Sequence, residues 1–259
     1  MQLERKKEEI EKEIQKIYRD FREVYWDEQN DCINKVDFEK WYNYCEDHNH
    51  KKQYGKEGYN PEENGHELGH YAILQSPIPP KPRVVMVGKS NAWFVDGNME
   101  KSLKIVKDLE KNIPLKDHYD LGNNFANRLN AQIRRVGHLN KNAENLFKNN
   151  RVGLNRIWMQ TGSDTEEAKS SIEKMESSLI DLCHTSTEKI IRLLDPCLVF
   201  LFGNKTDKHC AWKLFDKGAK DESFIIKRCP HPSGSNVSKI SEAFLEGYNE
   251  AEEKGLLNH

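Results

Sequence analysis

The sequence predicts an α/β protein: a three-layer α/β/α domain on a central four-stranded parallel sheet, preceded by an N-terminal helical extension. Three observations carry this. Behind residue 76, short β-branched apolar runs alternate with amphipathic helical stretches, the pattern of parallel strands joined by crossover helices. The first 75 residues differ in makeup, with 12 Lys and Arg against 18 Asp and Glu, whereas residues 76–259 carry 28 against 24. Between the two, Ser76-Pro-Ile-Pro-Pro-Lys-Pro82 reads as a stiff extended linker, because each proline fixes its own φ and drives its predecessor out of the helical region.

Taken in order, residues 2–25 spell an amphipathic helix. Leu3, Ile10, Ile14, Ile17, Phe21 and Val24 recur at helical spacing with charges on the other faces. A second short helix is expected over 36–45, and 48–65, rich in Gly, Asn, His and Tyr, reads as loop. The expected strands are 83–88 (RVVMVG), 151–159 (RVGLNRIWM), 197–203 (CLVFLFG) and 223–229 (SFIIKRC). A long helix between the second and third opens at the capping box Ser163-Asp-Thr-Glu166 and stops at Pro196. A last helix is expected over 237–254.

Composition narrows the function classes. No apolar run approaches the roughly 18 residues that a membrane span needs, and the first residues contain no apolar signal-peptide core, so a cytoplasmic protein without a membrane partner is expected. The six cysteines form no C-x-x-C pair, which points to reduced thiols rather than a zinc ribbon. From Arg128 to Arg156 there are seven basic residues and one acid, Glu144, so this stretch is a candidate for phosphate contacts through Arg134 and Arg135.

In parallel sheets ligands bind beyond the carboxyl ends of the strands. The first strand is followed by Gly88-Lys-Ser-Asn-Ala-Trp-Phe94, read as a tight turn whose amides face a ligand. The third is followed by Gly203-Asn-Lys-Thr206, and the fourth by Pro230-His-Pro-Ser-Gly234, which holds His231 between two prolines.

With VVMVGKSNAWF, EKIIRLLDPCLVFLFGNKT and CPHPSG in this order, the region of about 76–250 resembles the uracil-DNA glycosylase superfamily. The resemblance implies that a base is flipped out of DNA and its N-glycosidic bond hydrolysed, with no cofactor and no metal. It makes His231 the donor to the departing base, Ser90 or Asn91 the residue that positions the water, and Asn155 the reader of the base edge. Gly88 and Lys89 line the substrate turn, Trp93 or Phe94 stacks on the flipped base, and Ser233 and Gly234 pack against DNA phosphates. This sequence departs from the family two residues after the motif glycine, where Ser90 stands in place of Asp or Asn. It departs again four residues after that glycine, where Ala92 replaces a bulky tyrosine that blocks carbon 5 of the pyrimidine. The expected substrate is therefore a 5-substituted or otherwise modified pyrimidine, such as a modified cytosine of phage DNA, in an antiviral defence role.

Other readings remain. A module of the same fold that binds DNA without cutting it is compatible with Ser90. Another nucleotide-handling α/β protein would use the glycine turn and His-Pro-Ser as generic ligand loops. His66-Glu-Leu-Gly-His70 fits the zinc-peptidase pattern H-E-x-x-H. It follows Pro61 and Asn64-Gly65, the prolines from Pro77 end any helix soon after it, and no third-ligand segment is evident.

Overall fold

In the computed structural model, four strands make one all-parallel sheet in the order β4-β3-β5-β6: β3 (Val84–Ala92), β4 (Arg151–Thr161), β5 (Leu198–Gly203) and β6 (Ile225–Pro230). The structure describes residues 2–27, 32–33, 74, 76–92, 124–161, 177–215, 223–232 and 238–258. Two-residue strands β1 (Trp26–Asp27) and β2 (Cys32–Ile33) pair antiparallel on their own. The expected 36–45 helix, the H-E-x-x-H segment, Trp93, Phe94, the 163–166 capping box, Ser233 and Gly234 lie outside the described residues. Of Ser90, Asn91 and Ala92 only the backbone is described.

Alternation along the strands divides the core. Val85, Val87, Leu154, Val199 and Leu201 face one side, where they meet Cys183, Ile190, Ile191 and Leu194 of α4 (Ser177–Leu194) and Ile10 and Ile14 of α1 (Gln2–Tyr25). Val84, Met86, Leu198, Phe200 and Phe202 face the other, covered by α2 (Asn124–Gly137), α3 (Lys141–Asn149) and α5 (Ser238–Glu253). These are the three layers the strand pattern predicts. Phe200 and Phe244 sit 4.5 Å apart, and Phe147 packs on both, so aromatic edges fill the space between sheet and helices. At Gly247 of α5 a side chain would press on Phe200 and Lys227 at 3.2–3.3 Å, which is how that helix lies so close to the sheet.

The predicted linker is a packed strap. Leu74 forms an antiparallel bridge to Leu154, the Ser76 hydroxyl accepts the Gly153 N–H at 2.9 Å, and Ile78 is 1% exposed. The Leu74 bridge and the Ser76 hydroxyl thereby cover part of the outer edge of β4, at Gly153 and Leu154.

β3 corrects a second expectation. It does not turn after Gly88 but continues in register with β4, Gly88 opposite Asn155 and Ala92 opposite Thr161, with a bulge between Ser90 and Asn91. A bulge inserts an extra residue and re-aims the chain beyond it, so the polar residues after Gly88 ride on an extended strand rather than a loop.

Candidate functional site

The next described elements after β3 are α2 and α3 on one face of the sheet, whereas β5 leads into the Ala211–Lys213 turn of helix on the α4 side. Adjacent strands whose connections diverge to opposite faces open a crevice at their carboxyl ends. The chemistry-bearing residues gather there.

Gly88 and Asn155 face each other across β3 and β4. A Cβ on Gly88 would stand 3.0 Å from Asn155 Oδ1, so the glycine is the space in which the carboxamide lies. Asn155 is 5% exposed, and its backbone carbonyl accepts the Thr187 hydroxyl at 3.2 Å, which ties this residue to α4. The next residues in each strand point to the opposite face. There Lys89 Nζ lies 2.9 Å from Asp207 Oδ2, both side chains nearly buried at 13% and 14% exposed.

Asp207 is held by the loop that follows β5. Asn204 Oδ1 accepts the amides of Thr206 and Asp207 at 2.9 and 2.8 Å and the Thr206 hydroxyl at 2.7 Å, an Asx turn that fixes the loop's direction. Asp207 Oδ1 accepts the His209 amide at 2.8 Å, and its carbonyl accepts Cys210 N at 3.2 Å. Gly203 lets this loop fold back, since a Cβ there would meet Cys210 Cβ at 2.5 Å. Withdrawal from water pushes the Asp207 carboxyl up, but the Lys89 ammonium and the His209 amide outweigh it and hold it below the ordinary 3.8. Asp207 is therefore an ionised carboxylate in the crevice at neutral pH.

Arg156 and His209 complete this side. Arg156, 5% exposed, donates Nη1 to the Cys210 carbonyl at 3.3 Å, and its Nη2 is 3.4 Å from His184 Nδ1. Because guanidinium can only donate, His184 accepts there and donates Nε2–H to Glu188 Oε1 at 2.8 Å; Glu188 in turn accepts the Phe215 amide. Both ring nitrogens of His184 are thus engaged in structure. Burial lowers the Arg156 pKa from its ordinary value and the His209 pKa from 6.5; Lys208, Arg156 and Lys89 lower His209 further and Asp207 opposes them.

His231 follows Pro230, the last residue of β6. The imidazole keeps an exposed edge, yet loss of water around the rest of it lowers its pKa from 6.5, helped by Lys89 and Arg128 and opposed by Asp207. A neutral imidazole at physiological pH donates a hydrogen bond without giving up its proton, which suits stabilisation of a developing anion.

The basic stretch is partly absorbed by structure. Arg151 is 6% exposed and donates to Asn130 Oδ1 at 3.0 Å, Arg156 is buried, and Lys141 and Lys148 both pair with Glu144. Arg134 and Arg135 are exposed in the last turn of α2, where their charges complement the negative end of the helix dipole. Lys227 of β6 pairs with Glu250 of α5 at 3.0 Å.

Of the predicted residues, the structure brings Gly88, Lys89, Asn155 and His231 to one edge of the sheet. Asp207, Arg156 and His209 were missed. Gly203-Asn-Lys-Thr206 ends one residue short of the carboxylate, and the Asn-x-x-Asp that follows the strand-ending glycine is the signal for it in the sequence. Among the described residues no group of three His, Cys, Asp or Glu could hold a metal ion, and no helix is long and apolar enough to cross a membrane. Four cysteines there, Cys183, Cys197, Cys210 and Cys229, are free thiols, with burial pushing Cys183 up to about 12. Inert buried thiols of this kind supply no nucleophile.

The fold is a three-layer α/β/α protein, with Lys89, Arg156, Asp207 and His209 gathered beyond its two central strands. Compared with known proteins, the chain matches no protein-family model and no curated protein sequence.

Proposed function

We propose that this protein is a DNA glycosylase that takes a flipped base into the crevice at the carboxyl ends of β3–β6 and hydrolyses its N-glycosidic bond. The supporting observation is the Asn155 carboxamide seated in the space left by Gly88, with the neutral imidazole of His231 just beyond β6 at the carboxyl end of the same sheet. A carboxamide presents one donor and one acceptor to a base edge, and the imidazole donates to the base oxygen as the leaving electron pair collects there. Unstacking costs a few kcal/mol, which phosphate contacts to cations such as Arg134 and Arg135 offset.

The substrate in this reading is a pyrimidine substituted at carbon 5. Alanine at position 92, where the uracil-specific enzymes it resembles carry a bulky tyrosine, leaves carbon 5 unblocked in this reading, and polar contacts to the substituent exclude ordinary host bases by large factors. A cytoplasmic enzyme of that kind acts against modified phage DNA. The test is incubation with duplexes carrying uracil, mismatched thymine, 5-hydroxymethylcytosine or its glucosylated form, followed by alkaline strand cleavage at abasic sites. Cleavage at the modified cytosines supports the reading; cleavage at uracil alone contradicts the open pocket.

Ser90 favours a second reading, a module that binds DNA without cutting it, since a serine hydroxyl without a partner is a poor base. Binding to these duplexes with no strand cleavage would select it.

A further inference from the structure

We propose that Asp207 is the carboxylate that positions the hydrolytic water, supplied from the loop after β5 in place of the acid that β3 lacks at Ser90. This rests on the glycosylase reading above. Four observations bear on it. Asp207 lies at the switch point between the two central strands, its Oδ2 2.9 Å from the ammonium of Lys89, the residue that follows Gly88. It is nearly buried, so its charge acts in a medium that screens little. Its position is fixed from both sides, by the Asn204 carboxamide on the Asp207 amide and by the His209 amide on Oδ1. The loop that carries it is tied to β4, whose Arg156 donates to the Cys210 carbonyl at 3.3 Å.

The chemistry follows from the charges. As the C1′–N bond breaks, its electron pair leaves with the base, where His231 donates a hydrogen bond. The sugar becomes a cation, which an anionic carboxylate stabilises directly. The water's lone pair then forms the C1′–O bond, and its proton passes to Asp207 and on to solvent. A weakly basic carboxylate is sufficient for this step, because the water attacks a carbon that is already cationic. Lys89 is a positioning residue: it keeps Asp207 ionised and turned toward β3.

The natural variant is Asp207→Asn, which keeps an oxygen for the His209 amide and removes the charge. On whichever of the four duplexes the wild-type protein cleaves, Asp207→Asn should release base about 10²- to 10³-fold more slowly at a temperature where it is fully folded, with DNA affinity near wild type and a lowered melting temperature, because the nearly buried Lys89 ammonium loses its counter-charge. Asp207→Ala separates chemistry from folding: added formate should restore part of its activity and none to His231→Ala. A purely structural carboxylate would give no such rescue. Full activity in Asp207→Asn, or no formate rescue of a folded Asp207→Ala, overturns the assignment and leaves the glycosylase reading standing. A borohydride-trapped covalent complex between DNA and Lys89 also overturns it, because the nucleophile would then be the amine. A wild-type protein that releases no base from any of the four overturns both.

Discussion

Replacing Gly203 by alanine should unlock the loop that carries Asp207, and the structure gives the size of the effect. The added Cβ would stand 2.5 Å from Cys210 Cβ and 2.9 Å from its Sγ. Carbon atoms pack at about 3.5–4.0 Å, so something must move by about 1 Å. Cys210 has little freedom to do so. Its amide is bonded to the Asp207 carbonyl at 3.2 Å, its thiol to the Asn204 carbonyl at 3.1 Å, and its own carbonyl to Arg156 at 3.3 Å. Overpacking at such a site costs about 1–3 kcal/mol. For a chain of this length each kcal/mol lowers Tm by roughly 2–4 °C, so a loss of about 2–12 °C is expected in a thermal melt. Urea unfolding of Gly203→Ala, Cys210→Gly and the double variant gives the cleaner reading. Removing both Cys210 atoms relieves the clash, so the double variant should lose clearly less than the two singles together. Additivity within about 0.5 kcal/mol would refute the contact as the cause.

Other outcomes follow from the same geometry. His231→Ala should slow base release about 10²- to 10³-fold with little change in DNA affinity, read by single-turnover assay beside a binding titration. Reversing Arg134 and Arg135 to Glu should weaken DNA binding and reduce the slope of log K against log salt by about 2, since two fewer phosphates are neutralised. Glu144 is held down to about 2 by hydrogen bonds from Lys141 and Lys148, from an ordinary 4.5. A carboxyl depressed by folding adds stability that is complete above about pH 4.5 and is lost as pH falls toward 2, so acid unfolding of Glu144→Gln should lack that component, as chemical melts between pH 2 and 6 would reveal.

The sheet was legible because its strands are short apolar runs that nothing else in the chain imitates: RVVMVG and CLVFLFG became β3 and β5 within a residue at their starts. The far end of β3 was not. Lys89-Ser-Asn-Ala is too polar to read as strand, and only pairing with β4 across a bulge keeps it extended. Helices α2 and α3 carry a helical signal, Leu129, Ile133 and Val136 in one and Ala143 and Phe147 in the other, but the surrounding asparagines and cations drew the reading toward charge. At the site, Gly88, Lys89 and His231 could be found because each ends or follows a recognisable strand, and Asn155 as the carboxamide within the second strand. Arg156 and His209 could not. An arginine within a strand and a histidine after a turn look like surface residues until the fold buries them together.

The central claim is that this crevice breaks an N-glycosidic bond, and mass-spectrometric detection of the free base tests it most directly. Duplexes containing 5-hydroxymethylcytosine or its glucosylated form, incubated with the wild-type protein, should yield the intact modified base in amounts equal to the abasic sites formed. Tight binding of the same duplexes with no free base and no abasic sites would contradict the claim.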